Sequence, residues 1–306
     1  MHKQQCLILD GGMGRELARA GAPFRQPEWS ALALMEAPHT VSLVHQAYID
    51  AGALVITTNS YALVPFHIGQ ERFNADGESL AALAGQLARQ CVLDNPSRKV
   101  RVAGSLPPLF GSYRPDLFKQ ESVKDIAKPL IAGLSSYIDF WLIETQSSIV
   151  EVKSIHALLP KDNKEFWVSF TLQDEDLNAP PQLRSGELVE QAVEQMANLG
   201  AATILFNCCQ PEVIEAALKV TQECLSRLNK KDIHFGAYAN AFPPQPKEAT
   251  ANDGLDDIRA DLDPESYLKW AQKWQLAGAT RIGGCCGIGP KHIEKLADFF
   301  NKVAVS

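Results

Sequence analysis

Seven cysteines are spread along 306 residues, and four of them form two adjacent pairs, Cys208-Cys209 and Cys285-Cys286. A disulfide between sequence neighbours is strained, and an odd number of cysteines does not suit a framework of cross-links. A thiolate is instead a nucleophile and a soft metal ligand. If the fold brings Cys208 to Cys285 and Cys286, three thiolates can hold one cation, and such donors favour zinc over magnesium or calcium. Three protein ligands on zinc leave a fourth position open, which is the arrangement of a catalytic centre. The separation is not that of a compact zinc finger, so burial of some of these cysteines in the core is the competing reading. Gly283, Gly284 and Gly287 surround the second pair and free the backbone to turn, since consecutive residues on a regular strand point to opposite faces. Cys209 reads as a bystander, and Cys6, Cys91 and Cys224 as core or surface residues.

A second candidate is Asp10-Gly11-Gly12-Met13-Gly14. It lacks the Lys-Ser/Thr of a P-loop and the spacing of a dinucleotide fingerprint. A carboxylate beside exposed backbone N–H groups suits a zwitterion better: Asp10 takes an ammonium and the amides take a carboxylate. Glu144 offers a second carboxylate for the same ammonium, with helix capping or a rim salt bridge as the alternative. The histidines do not assemble a catalytic set. His39, His45, His67, His156 and His292 fall in helices or loops, and His234 begins a strand. Asp232-Ile233-His234-Phe235-Gly236 is one residue short of a cobalamin-binding pattern and is set aside. There is no Gly-x-Ser-x-Gly elbow and no Cys-x-x-Cys, which leaves little for a serine hydrolase or a redox protein.

Groups so distant in sequence need a scaffold that gathers them. Eight short β-branched or apolar runs read as strands: Cys6–Asp10, Leu54–Thr58, Val100–Ser105, Phe140–Glu144, Phe166–Thr171, Thr203–Asn207, His234–Asn240 and Arg281–Gly284. Between them lie stretches of helical periodicity, among them Val41–Ala51, Leu80–Leu93, Val123–Ser136, Leu188–Leu199, Val213–Leu228 and Pro264–Leu276. Ala51-Gly52-Ala53, Leu199-Gly200-Ala201 and Ala277-Gly278-Ala279 look like one repeated helix end, each followed by a strand. The reading is α/β, a (β/α)₈ TIM barrel over residues 1–306 as one domain. Every putative strand ends in polar or ligand-capable residues, and in such a barrel those ends converge on one face. The polar segments Gln173–Arg184 and Phe242–Asp257 are expected as loops on that rim.

Composition sets the outer limits. Apolar residues make up 46% of the chain, enough for a core and against disorder. The formal net charge is −7 with no basic run, which argues against a nucleic-acid partner. No stretch is apolar for long enough to span a membrane, and the start of the chain does not read as a signal peptide, so a cytoplasmic protein with no membrane association is expected.

Taken together, Asp10-Gly11-Gly12, Trp29-Ser30-Ala31, His45…Tyr48…Ala51-Gly52-Ala53…Thr57-Thr58…Tyr61, Glu144-Thr145, Asn207-Cys208 and Gly283-Gly284-Cys285-Cys286-Gly287 resemble the homocysteine S-methyltransferase family, from about Leu7 to Phe300. The resemblance implies a (β/α)₈ barrel with one Zn²⁺ held by Cys208, Cys285 and Cys286. It places Asp10 and Glu144 near the amino group of homocysteine and Gly11 and Thr57 near its carboxylate, with Asn207 and Tyr61 lining the site. Two rim segments depart from the family pattern. A Gly-Pro-Tyr-Gly-like stretch is replaced by Ser105–Asp116, and a Tyr-Pro-Asn by Tyr238-Ala239-Asn240. The implied reaction is attack of a zinc-activated homocysteine thiolate on a small methyl donor, S-methylmethionine or another sulfonium or quaternary ammonium, to give methionine. Tyr61, Tyr113 and Tyr238 are candidates to face a cationic donor. Two other readings stand beside it: a thiol- and zinc-binding barrel without turnover, and the thiol-activating component of a corrinoid-dependent relay. No corrinoid domain is expected after Ser306, so the relay needs a separate partner.

Overall fold

The computed structural model describes residues 6–245 and 257–302. Most of the expected rim loop Phe242–Asp257 therefore lies outside the described residues. In chain order the elements are β1 (Leu7–Ile8), α1 (Met13–Arg19), α2 (Ser30–Glu36), α3 (Pro38–Asp50), β2 (Val55–Thr57), α4 (Pro65–Ile68), α5 (Gln70–Leu93), β3 (Arg101–Leu106), α6 (Val123–Leu134), β4 (Phe140–Gln146), α7 (Ile149–His156), β5 (Phe166–Phe170), α8 (Val189–Leu199), β6 (Thr203–Asn207), α9 (Pro211–Arg227), β7 (His234–Tyr238), α10 (Pro264–Leu276), β8 (Arg281–Ile282) and α11 (Pro290–Lys302).

The strands pair in parallel in the order β1-β8-β7-β6-β5-β4-β3-β2. A parallel bridge from Leu9 to Val55, with the Leu54 amide donating to the Ile8 carbonyl at 2.8 Å, joins the first strand to the second and closes the sheet. The fold is a (β/α)₈ barrel. Parallel strands covered on both faces need near-continuous apolar runs, and β4 and β5 are buried at every residue.

The side-chain period of two then sorts the strands. Val102, Val168, Ile204 and Phe206 point outward into the main core under the helices, whereas Leu9, Val55, Ala103, Phe140, Leu142, Trp167, Leu205 and Tyr238 form a separate cluster that fills the barrel. Two residues further along the same strands stand Thr57, Ser105, Glu144, Ser169 and Asn207. The floor of the site is therefore the polar layer that directly follows an apolar one.

The repeated helix ends behave as expected: Gly52, Gly200 and Gly278 all take positive φ (98°, 85° and 98°), a conformation in which a side chain would be strained. Other boundaries differ. Strands β1 and β8 keep only two ladder residues each, because Asp10-Gly11-Gly12 and Gly283-Gly284 leave the sheet to build loops. β4 runs past Glu144 to Gln146 through a register irregularity, with Thr145 at φ 58°. Helix α5 starts ten residues before the expected Leu80, because its polar first turns hide the period. The sequence reading gives no range for helices α1, α2, α4, α7 and α11. No helix among the described residues is long and apolar enough to cross a membrane.

Candidate metal and substrate site

The loops after the strands enclose a cavity of about 350 Å³ at the C-terminal end of the barrel. Asp10, Gly11, Thr57, Tyr61, Glu144, Cys208, Cys285 and Cys286 all line it; Asn207 stands just beneath, fully buried at the end of β6.

Cys208, Cys285 and Cys286 come together with their ligand atoms within 4.8 Å of one another, and Cys208 and Cys285 Sγ are 3.2 Å apart. Two backbone features make this possible. Cys208 takes φ 54°, a left-handed conformation unusual for a side-chain-bearing residue, which ends β6. On the other side the chain turns at Cys286-Gly287, with Gly287 at φ 83°. Cys209 faces the other way, into the apolar core, and burial pushes its thiol up. Regular alternation would carry Cys208 outward after Phe206; the left-handed turn at Cys208 reverses the order, bringing Cys208 to the cavity and Cys209 to the core.

The trio cannot ionise freely by itself. Cys286 is held well below the usual thiol range by hydrogen bonding with Cys208 and Cys285, while Cys285 is pushed well up by its contacts with the same two neighbours and by burial. Ionising one sulfur thus disfavours ionising its neighbours, and a bound cation is what would let all three become thiolates at once. Three thiols at this spacing are a donor set that could hold a metal ion.

Below the sulfurs lies a continuous polar network. Glu144 accepts from the Ser105 hydroxyl and from the Tyr238 hydroxyl at 3.1 Å. Tyr238 lies 2.6 Å from Ser169, Ser169 donates to Asn207 Oδ1 at 2.7 Å, and Asn207 Nδ2 donates to Thr145 Oγ1 at 2.8 Å. Asn207 Nδ2 is also 3.9 Å from Cys285 Sγ, so the network ends at the metal-ligand candidates. Burial raises Glu144 to about 7, against the pull of the Ser105 and Tyr238 hydrogen bonds. Asp10 is likewise raised to about 7 by burial, although it accepts from the Thr57 amide at 2.6 Å and hydroxyl at 3.0 Å. Among the described residues no cation is paired to these two buried carboxyls, which are then costly as anions, so a cationic group entering between them is favoured.

Thr57 therefore spends both of its donors on Asp10. It lines the cavity while holding that carboxylate. Tyr61 is tied to Ser112 at 2.6 Å.

The departing rim loop proves to be part of the site. Tyr113, at φ 68°, places its hydroxyl 3.0 Å from Cys208 Sγ. Behind its ring, 5.1 Å from the centroid, lies the guanidinium of Arg184, which pairs with Asp174 at 2.9 Å with both side chains buried. Asp174 also accepts from the amides of Gln210 and Gln245, so this pair ties three rim loops together. The sequence reading nominated Tyr113 only as a rim aromatic. It missed Arg15, Phe24, His67, Ser112 and Phe242, which also line the cavity. They sit inside helices and loops where no period marks them. His67 Nδ1 is 3.0 Å from the Pro27 carbonyl. Thr145, Tyr113 and Cys208 are all non-glycine residues at positive φ, and such strain gathers where geometry is over-determined by its surroundings.

Gly12 shows how tightly the first loop is fitted to the last. A Cβ there would lie 2.6 Å from the Cys285 carbonyl oxygen and 3.0 Å from Cys286 Cα, both backbone atoms that cannot rotate away. Gly12→Ala is expected to displace the cysteine turn and weaken metal binding by ~10–100-fold, the scale of losing a ligand's supporting shell. Competition with a chromophoric chelator measures this directly, and unchanged affinity would show that the turn can give way.

Comparison with known proteins agrees with this geometry. The family model for homocysteine S-methyltransferase matches residues 7–300. The homocysteine S-methyltransferase of Escherichia coli K12 is 28% identical, over 97% of this chain and 96% of its own. The selenocysteine Se-methyltransferase of Brassica oleracea var. italica is 25% identical, over 94% of this chain and 87% of its own. The crystal structure of the metallated form of the homocysteine methyltransferase MmuM from E. coli superposes with a TM-score of 0.75 at 28% identity, covering 97% of both chains. A closed eight-stranded barrel, three gathered cysteines at its C-terminal mouth and a full-length family match together place the chain in the homocysteine S-methyltransferase family.

Proposed function

We propose that this chain transfers a methyl group from a small cationic donor to the sulfur of homocysteine, forming methionine, with zinc at Cys208, Cys285 and Cys286. The observation that carries the reading is the convergence of those three sulfurs beside a pair of buried carboxyls with raised proton affinity. An all-thiolate set favours zinc. A tetrahedral zinc with Zn–S ~2.3 Å separates its sulfurs by roughly 3.8 Å, a spacing these side chains reach with small adjustments. When bound, zinc lowers the pKa of an incoming thiol so that it is a thiolate at neutral pH.

The remaining work falls to the chain itself. Asp10 and Glu144 take the substrate's ammonium and become fully ionised in doing so. Gly11, kept free of a side chain by the Ile288 carbonyl and Tyr48 that press on it, offers backbone to the carboxylate. Trp29, Tyr61 and Tyr238 present ring surface to a cationic donor. The donor leaves as a neutral thioether or amine, so the cavity needs no general acid. A cavity of about 350 Å³ is at the small end of ligand sites, which suits two small amino acids better than a donor carrying a nucleoside.

The test is a donor panel on zinc-loaded protein with homocysteine: S-methylmethionine, a betaine and S-adenosylmethionine, each without and with a methylated corrinoid. Methionine is expected from S-methylmethionine alone. Turnover only with corrinoid would make the chain a relay component. Zinc and homocysteine binding with no methionine from any donor would make it a binding barrel.

A further inference from the structure

A methyl donor in this cavity meets more than one sulfur. Cys208, Cys285 and Cys286 all line the space that the donor and the substrate thiol must share. A methyl group taken by one of these cysteines turns a thiolate ligand into a neutral thioether and spoils the donor set. The chain's own sulfurs must therefore be poorer nucleophiles than the substrate's. A hydrogen bond to a thiolate achieves this, because it occupies and stabilises the charge that would attack.

Cys208 has such a bond. The Tyr113 hydroxyl donates to Cys208 Sγ at 3.0 Å, and the Cys208 carbonyl oxygen, at 3.3 Å, competes for the same proton. A phenol has one proton to give. Thr171 Oγ1 donates to that carbonyl at 3.2 Å, which leaves the Tyr113 proton to the sulfur. The tyrosine is fixed from two sides. Its neighbour Ser112 is tied to Tyr61, and its ring is backed by the buried Arg184–Asp174 pair. Its own backbone, at φ 68°, is a conformation that persists only where the surroundings impose it. Cys285 is met less closely: Asn207 Nδ2 lies 3.9 Å from its sulfur and has Thr145 Oγ1 as a nearer acceptor at 2.8 Å.

We propose that Tyr113 is a selectivity residue acting through Cys208: its hydroxyl shields that sulfur from methylation, so that the methyl group goes to the substrate thiolate. This rests on the methyl-transfer reading above. The suppressed step is a plain displacement. A lone pair of the Cys208 thiolate forms the S–CH₃ bond, and the bond from that carbon to its leaving group breaks. The leaving group departs with the electron pair, as iodide from iodomethane or as neutral methionine from S-methylmethionine.

The experiment treats zinc-loaded wild type, Tyr113→Phe and Thr171→Val with iodomethane in the absence of homocysteine. Peptide mass spectrometry reads S-methylation at Cys208, Cys285 and Cys286 separately, and zinc content is measured on the same samples. Tyr113→Phe removes the donor and keeps the ring against Arg184. Its Cys208 methylation rate is expected to rise ~10-fold relative to the other two cysteines, the scale of one hydrogen bond to a charged group. Thr171→Val frees the Cys208 carbonyl to draw on the Tyr113 proton, and a rise of about two- to threefold at Cys208 is expected. With S-methylmethionine and homocysteine together, Tyr113→Phe should lose activity during turnover as methylated Cys208 accumulates, while wild type runs at a steady rate. An unchanged Cys208 rate in Tyr113→Phe would overturn the proposal, and so would a rise shared equally by all three cysteines, which is what a merely structural tyrosine gives. If Tyr113→Phe holds no zinc, Thr171→Val decides by the same comparison. The iodomethane arm needs no methionine formation, so failure of the shield and failure of the methyl-transfer reading give different results.

Discussion

Cys286→Ser is expected to yield a folded protein that has lost its metal and its methyl transfer together. A serine hydroxyl is a poor replacement for a soft thiolate, and two thiolates without a third do not close the donor set. Without metal the substrate thiol reverts to a pKa near 8.5, and protonation alone costs ~30-fold in nucleophile at pH 7. The loss of a fixed in-line geometry multiplies that, so methionine formation should fall by at least two to three orders of magnitude. Elemental analysis and a methionine assay on the same preparation check both halves. Cys209→Ser is the control. Its sulfur points into the apolar core next to the same loop, so that change should cost some stability and leave metal content near wild type. A metal-free Cys286→Ser protein with full activity would contradict the account.

Glu144→Gln is expected to act on substrate binding and on stability in opposite directions. Folded Glu144 titrates near 7, well above its ordinary value, because burial penalises its anion. The folded state therefore holds this proton more tightly than the unfolded one. The group costs nothing below about pH 4, costs progressively more as pH rises toward 7, and its full cost is present above that. Removing the carboxylate should raise the melting temperature of the ligand-free protein relative to wild type, with a larger difference at pH 8 than at pH 5. Binding shows the reverse. An ammonium between Asp10 and Glu144 needs their anions, so affinity for methionine should rise between pH 6 and 7 and level off above about 8; methionine is the better probe because its thioether has no proton to lose at the metal. In Glu144→Gln the affinity should drop by ~10–100-fold at pH 8, the scale of one charge-assisted hydrogen bond, and the pH dependence should flatten to what Asp10 alone supplies. Titration calorimetry across the pH range reads both effects. A wild-type affinity that is flat in pH would mean that neither carboxyl meets the ammonium.

Such a trade is common where function is built from groups that burial disfavours. The same reasoning explains what the sequence made legible. The strands were readable because a parallel barrel buries both faces of each strand, and runs such as Phe166–Phe170 have little else to be. The three gathered cysteines were readable as candidates because Cys is not a turn residue and stands out at a strand-to-loop junction. The ends of β1 and β8 were read too long because glycine and aspartate leave the sheet early, and loop and strand share residues at that point. The bond from Thr57 to Asp10 was not legible for a different reason: it is a pairing across two strands that depends on register and not on either residue's type. His67 and Arg15 were illegible as site residues because nothing in a four- or seven-residue helix marks which side chain turns inward, and Tyr113 was legible only as a rim aromatic, not as a partner of Cys208. The rim loop Ser105–Asp116, noted only as a departure from the family pattern, turns out to deliver Tyr113 to Cys208 and Ser112 to Tyr61.

The central claim is that three cysteine sulfurs hold one zinc and leave a place for the sulfur of homocysteine. X-ray absorption at the zinc edge, on loaded protein without and with homocysteine, tests it most directly. The account predicts three sulfurs and one lighter atom before addition and four sulfurs near 2.3 Å after it. A first shell that stays at three sulfurs when homocysteine is bound, or that holds fewer than three to begin with, would contradict it.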